Sequence, residues 1–507
     1  MNIKQAKQEI TNTLKAYLAK DQLGNYLIPT VRQRPVLLMG PPGVGKTQIM
    51  EQIAAEAGVG LVAYTITHHT RQSAIGLPFI EKRTYGGEEV SVTEYTMSEI
   101  LSSVYRLMER TGLQEGILFL DEINCVSETL APMMLQFLQC KTFGNQALPE
   151  GWLIVAAGNP PEYNKSVRDF DVVTLDRVKR IDVEEDYGVW KEYARRKNLH
   201  GAVLSYLDIK KDNFYRIENT ADGLQFATAR GWEDLSELLY AYETLGIRAD
   251  REVVGQYIQM PRIAKDFANY LEMFYKYQKT YHVEGILSGT WENITVLELR
   301  EAPFDEKLSV MGLVLSRLSE EARNTRCQDA LTDALHTSLT EFREKIADAP
   351  PLTVLDQLLW KRRTAMKQAK EAGQLDKESR DLKQREINAL EDYRQRLDRE
   401  AVAPEGAMDA VRGWFGEEVE RRKAVAMETK DMFDNAFRFL ETTFGDSQEL
   451  VIFVTEITAG YDTSWFVEQF GCDAYFRHNR ELLFDSTRHR IREEIAAAKA
   501  AEQEENT

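Results

Sequence analysis

A parallel α/β sheet flanked by helices, followed by an extensive helical region, is the fold class this sequence predicts, and three observations predict it. Val36-Leu-Leu-Met39 is a short apolar strand signal that runs directly into Gly40-Pro41-Pro42-Gly43-Val44-Gly45-Lys46-Thr47, which fits G-x-x-x-x-G-K-[ST] at every fixed position. Ile117-Leu-Phe-Leu120 is a second buried strand, and it delivers Asp121 and Glu122 at its end. Strand and helix signals alternate as far as Val183, which implies a parallel sheet, and beyond Tyr187 the pattern becomes helical.

The totals bound the rest. A chain of 507 residues is expected to divide into two to four domains. With 81 acidic and 63 basic residues the formal charge is −18, which opposes sequence-blind attraction to phosphate backbones and makes nucleic acid an unfavoured partner. No apolar run approaches the roughly 18 residues a membrane helix needs, and Met1 to Ile10 is too charged for a signal peptide, so a soluble cytoplasmic protein is expected. Cys125, Cys140, Cys327 and Cys472 form no C-x-x-C pair, so neither a zinc site nor a disulfide framework is indicated, and mostly buried thiols are expected. The His68-His69 pair has no third ligand in sight and reads as packing rather than metal binding.

Taken in order, Ile3, Ala6, Ile10 and Leu14 recur at helical spacing and predict an amphipathic helix ending before Gly24, with Pro29 and Pro35 marking an extended lead-in. The loop from Gly40 to Thr47, with Gln48 beginning the helix that Gly58 closes, is a phosphate cradle. Residues without a Cβ let backbone N–H groups converge on an anion, Lys46 adds a mobile positive charge, and the helix N-terminus favours anions. Thr47 offers a hydroxyl to Mg²⁺. Leu61 to Ile66 reads as the second strand. Phe79–Tyr85 and Glu88–Tyr95 flank Gly86-Gly87 and predict an inserted β-hairpin that packs locally or touches a substrate.

The Asp121-Glu122 pair is the chemical complement of the loop. Asp121 suits Mg²⁺, directly or through water and Thr47, and Glu122 is placed to polarise a water attacking a terminal phosphate; a simple N-terminal charge preference is the plain alternative. Trp152 to Ala157 is another buried strand, and Asn159 stands at its exit, between the acidic strand and the first strand in the expected order. Its amide could orient the water or donate to the terminal phosphate, or it could serve only the turn before Pro160. Thr174-Leu-Asp-Arg177-Val-Lys-Arg180 is a basic cluster before a last short strand, aimed at a neighbour's phosphates or merely solvated. Arg230 falls in the first turn of a helix continuing through Leu235, Leu238, Leu239 and Tyr242. A cation is disfavoured there unless something negative faces it, either a phosphate or Glu233 or Asp234.

Beyond Gly285 the helices become long and polar. Leu352–Lys370 and Leu375–Glu400, with Gly373 between them, predict a protruding antiparallel hairpin (352–400). Leu382, Ile387, Leu390 and Leu397 form its apolar seam, for self-packing or for docking a partner. Glu449 to Phe484 is aromatic-rich and predicts a packed terminal unit, with a fraying tail after Ala496.

GPPGVGKT, ILFLDEIN, GNPPEYN, LDRVKR and TARGWEDLS, in this order and spacing, resemble AAA+ ATPases and more narrowly the MoxR family, over about residues 25 to 285. The resemblance implies a P-loop AAA+ core (31–186) after an N-terminal helix and lead-in (1–30), an all-α lid (187–285) and a C-terminal helical domain (286–507). It implies ATP and Mg²⁺, with Asp121 and Glu122 for catalysis, Asn159 as sensor 1, Arg177 as arginine finger and Arg230 as sensor 2, and the hairpin at Gly86 as a helix-2 insert. Val178 stands where the family usually has an aromatic, so Arg180 keeps a share of the finger assignment. The resemblance further implies a homo-oligomeric ring, commonly a hexamer, a protein substrate, and a separate von Willebrand factor A domain partner, since the chain itself has no D-x-S-x-S signature. Three functions compete: an ATP-hydrolysing remodelling chaperone, a nucleotide-gated scaffold with little turnover, and a nucleic-acid motor.

Overall fold

The computed structural model describes residues 1–68, 76–86, 88–143, 146–163, 170–220, 223–371, 375 and 377–480. His69, Gly87, Gly373 and the tail after Ala496 lie outside them. The chain forms two compact units: Met1–Val189 with Gln357–Ile387, and Trp190–Asp356 with the remainder. Part of the hairpin expected inside the C-terminal domain therefore belongs to the first unit.

The first unit opens with α1 (Ile3–Leu18), started by a capping box in which the Asn2 side chain accepts from the Gln5 N–H and the Gln5 side chain answers the Asn2 N–H. Then follow β1 (Val36–Met39), α2 (Lys46–Ala57), β2 (Gly60–Thr65), β3 (Pro78–Tyr85), β4 (Glu88–Tyr95), α3 (Glu99–Thr111), β5 (Gly116–Asp121), α4 (Ala131–Cys140), β6 (Trp152–Gly158) and β7 (Lys179–Asp182). Five of the strands make one parallel sheet in the order β2-β5-β6-β1-β7.

Alternation along each strand divides the core in two. Leu37, Leu118, Leu120, Ile154 and Ala156 point to one face, where Ile100, Leu101 and Val104 of α3 and Met134, Phe137 and Leu138 of α4 cover them. Val36, Leu38, Ile117, Phe119, Leu153 and Val155 point to the other, under Ala6, Ile10 and Leu14 of α1 and Ile49, Met50 and Ile53 of α2. A strand buried on both faces has no polar side to show, which is why these strands read as unbroken apolar runs.

β3 and β4 pair antiparallel, Tyr85 opposite Glu88, as the sequence predicts. Local packing does not follow, because both strands are largely exposed, including Phe79, Ile80, Tyr85 and Val90.

The second unit corrects the all-α expectation for the lid. Besides α5 (Gly201–Ile209), α6 (Ala229–Leu245) and α7 (Pro261–Thr280) it holds an antiparallel pair, β8 (Arg216–Thr220) and β9 (Gly223–Ala227). Gly223, which pairs with Thr220 at the end of the hairpin, is the turn signal that a helical reading of the segment passes over. The unit's axis is α8 (Phe304–Lys345), a helix of 42 residues. Along the chain follow α9 (Pro351–Glu371) and α10 (Lys377–Arg399), whose stretch Gln357–Ile387 belongs to the first unit, and then α11 (Ala407–Phe444), α12 (Gln448–Ala459) and α13 (Tyr461–Phe470). α8 packs on α5, α11 and α13.

The α9–α10 hairpin is antiparallel: Arg362 Nε donates to Glu386 at 3.0 Å and, further from the tip, Arg394 Nε donates to Asp356 at 2.8 Å. Ile387, Leu390 and Leu397 of its seam are buried, so the seam serves self-packing. In the terminal aromatic segment Phe466 is fully buried and stacks on Phe433 and Phe470. The thiols differ from expectation, since only Cys472 is buried and Cys140 is exposed. No helix among the described residues is long and apolar enough to cross a membrane.

Candidate functional site

The site assembles where β5, β6 and β1, three neighbours in the sheet, end at the same edge. A crevice outside the carboxyl ends of parallel strands is where an α/β sheet presents ligand chemistry. The loop between β1 and α2 holds Gly43 at φ 78° and Gly45 at φ 91°, left-handed conformations that turn backbone N–H groups inward. Gly45 is also the N-cap of α2, and a glycine brings no side chain to cap that helix.

Lys46 is 8% exposed, and its Nζ donates to Gly40 O and Pro41 O at 2.8 Å each and to Asn159 Oδ1 at 2.9 Å. The ammonium thus bridges the start of the loop and the end of β6. Because lysine only donates, the Asn159 atom facing it is the oxygen, and Nδ2 is left as the donor the amide can offer. Thr47 Oγ1 donates to Asp121 Oδ2 at 3.0 Å, so the hydroxyl and carboxylate expected to serve a metal are already neighbours. Together with phosphate oxygens, Thr47 and Asp121 would make a sparse hard-oxygen set of the kind that suits Mg²⁺, an ion that keeps several waters. Among the described residues no group of three or more His, Cys, Asp or Glu could hold a metal ion.

Glu122 has φ 57°, a left-handed conformation that is costly for a residue with a Cβ. Its N–H donates to Asp121 Oδ1 at 2.9 Å, and its carboxylate accepts from Thr67 Oγ1 at 2.9 Å. Thr67 lies in the 3₁₀ turn Ile66–His68 after β2, and the sequence gives no hint of this contact. A second unforeseen residue is Asn124, 3% exposed. Its Nδ2 donates to Asn159 O at 2.8 Å and its Oδ1 accepts from Asn159 N at 3.3 Å, clamping the Asn159 peptide on both sides. Its place three residues after Asp121, beside the β6 exit, is the only signal the sequence offered.

Arg177 and Arg180 are both exposed. Arg177 follows the short helix Val172–Leu175, which Asp171 caps by accepting from Thr174 N at 2.7 Å; the Thr174 hydroxyl first and this N–H second lower the Asp171 pKa. The Arg177 guanidinium donates to Gln139 in the last turn of α4. That turn is eight residues, about 12 Å, from the start of the helix that follows the acidic strand. Arg180 is engaged by Asp182 at 2.8 Å and lines a pocket of about 440 Å³ with Gly40, Pro41 and Tyr163 of its own chain. Burial, with Glu185 and Glu162 nearby, raises the Tyr163 pKa. Arg230 belongs to the second unit. It is exposed in the first turn of α6, whose N-cap Thr228 accepts from Gly231 N at 3.2 Å. Of the acids the sequence offered it, Glu233 accepts the Tyr193 hydroxyl at 2.6 Å, while Asp234 is raised by burial against the opposing pull of Arg230.

Residues 36–173 match the family described as "ATPase family associated with various cellular activities (AAA)". The match runs from β1 through the acidic strand and Asn159 to the short helix before Arg177, and it supports an AAA ATPase domain with nucleotide binding. Among solved structures the chain resembles a Cytophaga hutchinsonii protein provisionally described as an ATPase, at 17% identity and a TM-score of 0.22. The alignment covers 36% of this chain and 52% of that one, so the chain spans about half that protein's length, a likeness too loose to bear on function. No curated protein matches the chain.

Proposed function

We propose that this protein hydrolyses ATP as a MoxR-type AAA+ machine, in a ring of like subunits, and uses the cycle to remodel a protein partner. The observation that carries the reading is the joint geometry of Lys46, Thr47, Asp121, Glu122 and Asn159 at one sheet edge. Backbone N–H groups from Gly43 to Gln48 cradle the phosphates, and Lys46 exchanges its carbonyl partners for phosphate oxygens. Mg²⁺, held by Thr47 and through Asp121, would supply charge neutralisation on the phosphates when bound. Glu122, released from Thr67, accepts a proton from the attacking water, and Asn159 Nδ2 orients that water or the terminal phosphate.

AAA domains typically work as oligomeric rings, and the exposure of Arg177 supports a role at a subunit boundary. Its tie to α4, well along from the acidic strand, favours action on a neighbour's nucleotide, whereas Arg180 is already neutralised in its own chain. An arginine finger contributes about three to five orders of magnitude in rate, so turnover depends on assembly. Arg230 would act from the lid as the sensor of the bound phosphates. A von Willebrand factor A domain protein is the partner class the MoxR resemblance brings.

The test compares ATP turnover by the wild type and Glu122→Gln, with nucleotide binding measured on both. A remodelling ATPase loses turnover and keeps binding. A low rate that Glu122→Gln leaves unchanged points instead to a nucleotide-gated scaffold.

A further inference from the structure

The hairpin seam is covered, but the outer face of α9 is not. Val354, Leu355, Leu358 and Leu359 are buried, while Trp360, next in the chain, is 70% exposed. A large aromatic left in water has no part in the hairpin's own packing. At helical spacing from it, Arg363, Lys367 and Lys370 are also exposed, so ring and cations share one face over about 15 Å of helix. Between Gln357 and Glu371 there are five cations and one carboxylate, in a chain whose formal charge is −18. The helix dipole explains cations in the last turn, such as Lys370, but not the exposed ring.

Within the same unit Arg110 of α3 donates to the Glu371 carbonyl, with its guanidinium 3.8 Å from the Glu371 carboxylate, which ties α3 to the end of α9.

We propose that this face, centred on Trp360 with Arg363, Lys367 and Lys370, docks an acidic segment of a partner protein that carries an apolar side chain. Charge complementarity selects the acidic segment, and Trp360 supplies the desolvated anchor that a purely electrostatic contact lacks. Single-stranded nucleic acid is the weaker fit. It is read by successive stacked aromatics along a basic groove, whereas α9 offers one ring, and the chain's overall charge repels a polyphosphate at longer range. This deepens the remodelling reading by naming the partner's chemistry, but its test needs no nucleotide and stands or falls separately.

The experiment titrates the full-length protein into a fluorescently labelled peptide rich in Asp and Glu with one Leu and one Phe, and into a labelled single-stranded oligonucleotide. Trp360→Ala and the triple variant Arg363→Glu, Lys367→Glu, Lys370→Glu are carried alongside. The peptide is expected to bind the wild type, with each variant weakening it at least tenfold, and rising salt weakening it progressively. All these positions are exposed and outside the phosphate site, so ATP turnover stays at the wild-type rate and reports intact folding. No peptide binding by the wild type, binding that both variants retain, or oligonucleotide binding that depends on these same residues would each overturn the proposal.

Discussion

Asn124→Ala is the perturbation that tests most sharply how the site is held together. Asn124 is buried and, on this account, does not touch the nucleotide; it acts by clamping the peptide of Asn159, whose Oδ1 receives Lys46. Truncation removes hydrogen bonds of 2.8 and 3.3 Å and leaves a carbonyl and an N–H without their partners. An orphaned buried group costs about 1–3 kcal/mol, and because Asn159 is only half-buried water recovers part of that, leaving about 2–3 kcal/mol for the pair. At 1.36 kcal/mol per decade this is a fall of roughly 30-fold to 150-fold in the fraction of molecules with Asn159 poised. Steady-state ATP turnover of the purified variant should fall by that amount in kcat. KM should change by less than about threefold, since the loop N–H groups and Lys46 remain. A folded variant, verified by thermal unfolding, whose kcat stays within threefold of wild type would refute the claim that this clamp positions Asn159.

Other expectations follow from the same structure. Lys46→Ala removes the buried cation that bridges loop and Asn159, and should weaken ATP binding by at least about 100-fold in a titration with fluorescent nucleotide. Arg177→Ala should leave binding intact and lower turnover of the assembled protein by about a thousandfold or more, read by phosphate release. Lys141, 7% exposed, is pushed down to about 8 by burial, with Gln33 Oε1 at 3.5 Å as the polar partner of its ammonium among the described residues. Its folded pKa lies below the unfolded value, so the unfolded chain binds more protons between pH 8 and about 10.5 and stability should rise with pH across that window. Lys141→Met should stabilise the first unit at pH 7 by up to about 3 kcal/mol and flatten that rise, measured by denaturant unfolding at several pH values; a destabilised variant with an unchanged pH profile would contradict the assignment.

How much of this was legible in the sequence depended on what each signal recorded. The strands of the sheet were readable because both faces are covered, so Ile117 to Leu120 or Trp152 to Ala157 could only be apolar. The loop from Gly40 to Thr47 was readable because its glycines are imposed by backbone angles rather than by neighbours. Thr67 and Asn124 were missed because their importance comes from what the fold brings beside them: Glu122 lies 55 positions from Thr67, and Asn159 lies 35 positions from Asn124. β8 and β9 were missed for the opposite reason, a local turn signal outweighed by the helical segments around it. α8 was not foreseen as one helix because its buried positions, among them Val310, Leu318, Leu331 and Leu339, contact different neighbours along its length and never form one continuous stripe. In α9 the seam and Trp360 are separated by a single residue step, a distinction that only the packed hairpin makes.

The central claim is that ATP is cleaved by one subunit's Lys46, Asp121 and Glu122 together with the next subunit's Arg177. Mixing two inactive variants tests it most directly: Glu122→Gln keeps the arginine but has a dead site, and Arg177→Ala keeps the site but has no arginine to lend. Each alone should hydrolyse ATP near background, and the mixture, after exchange of subunits, should recover a substantial fraction of the wild-type rate. A mixture whose subunits exchange, as seen by labelled copies, yet whose rate remains the sum of its parts would contradict the account.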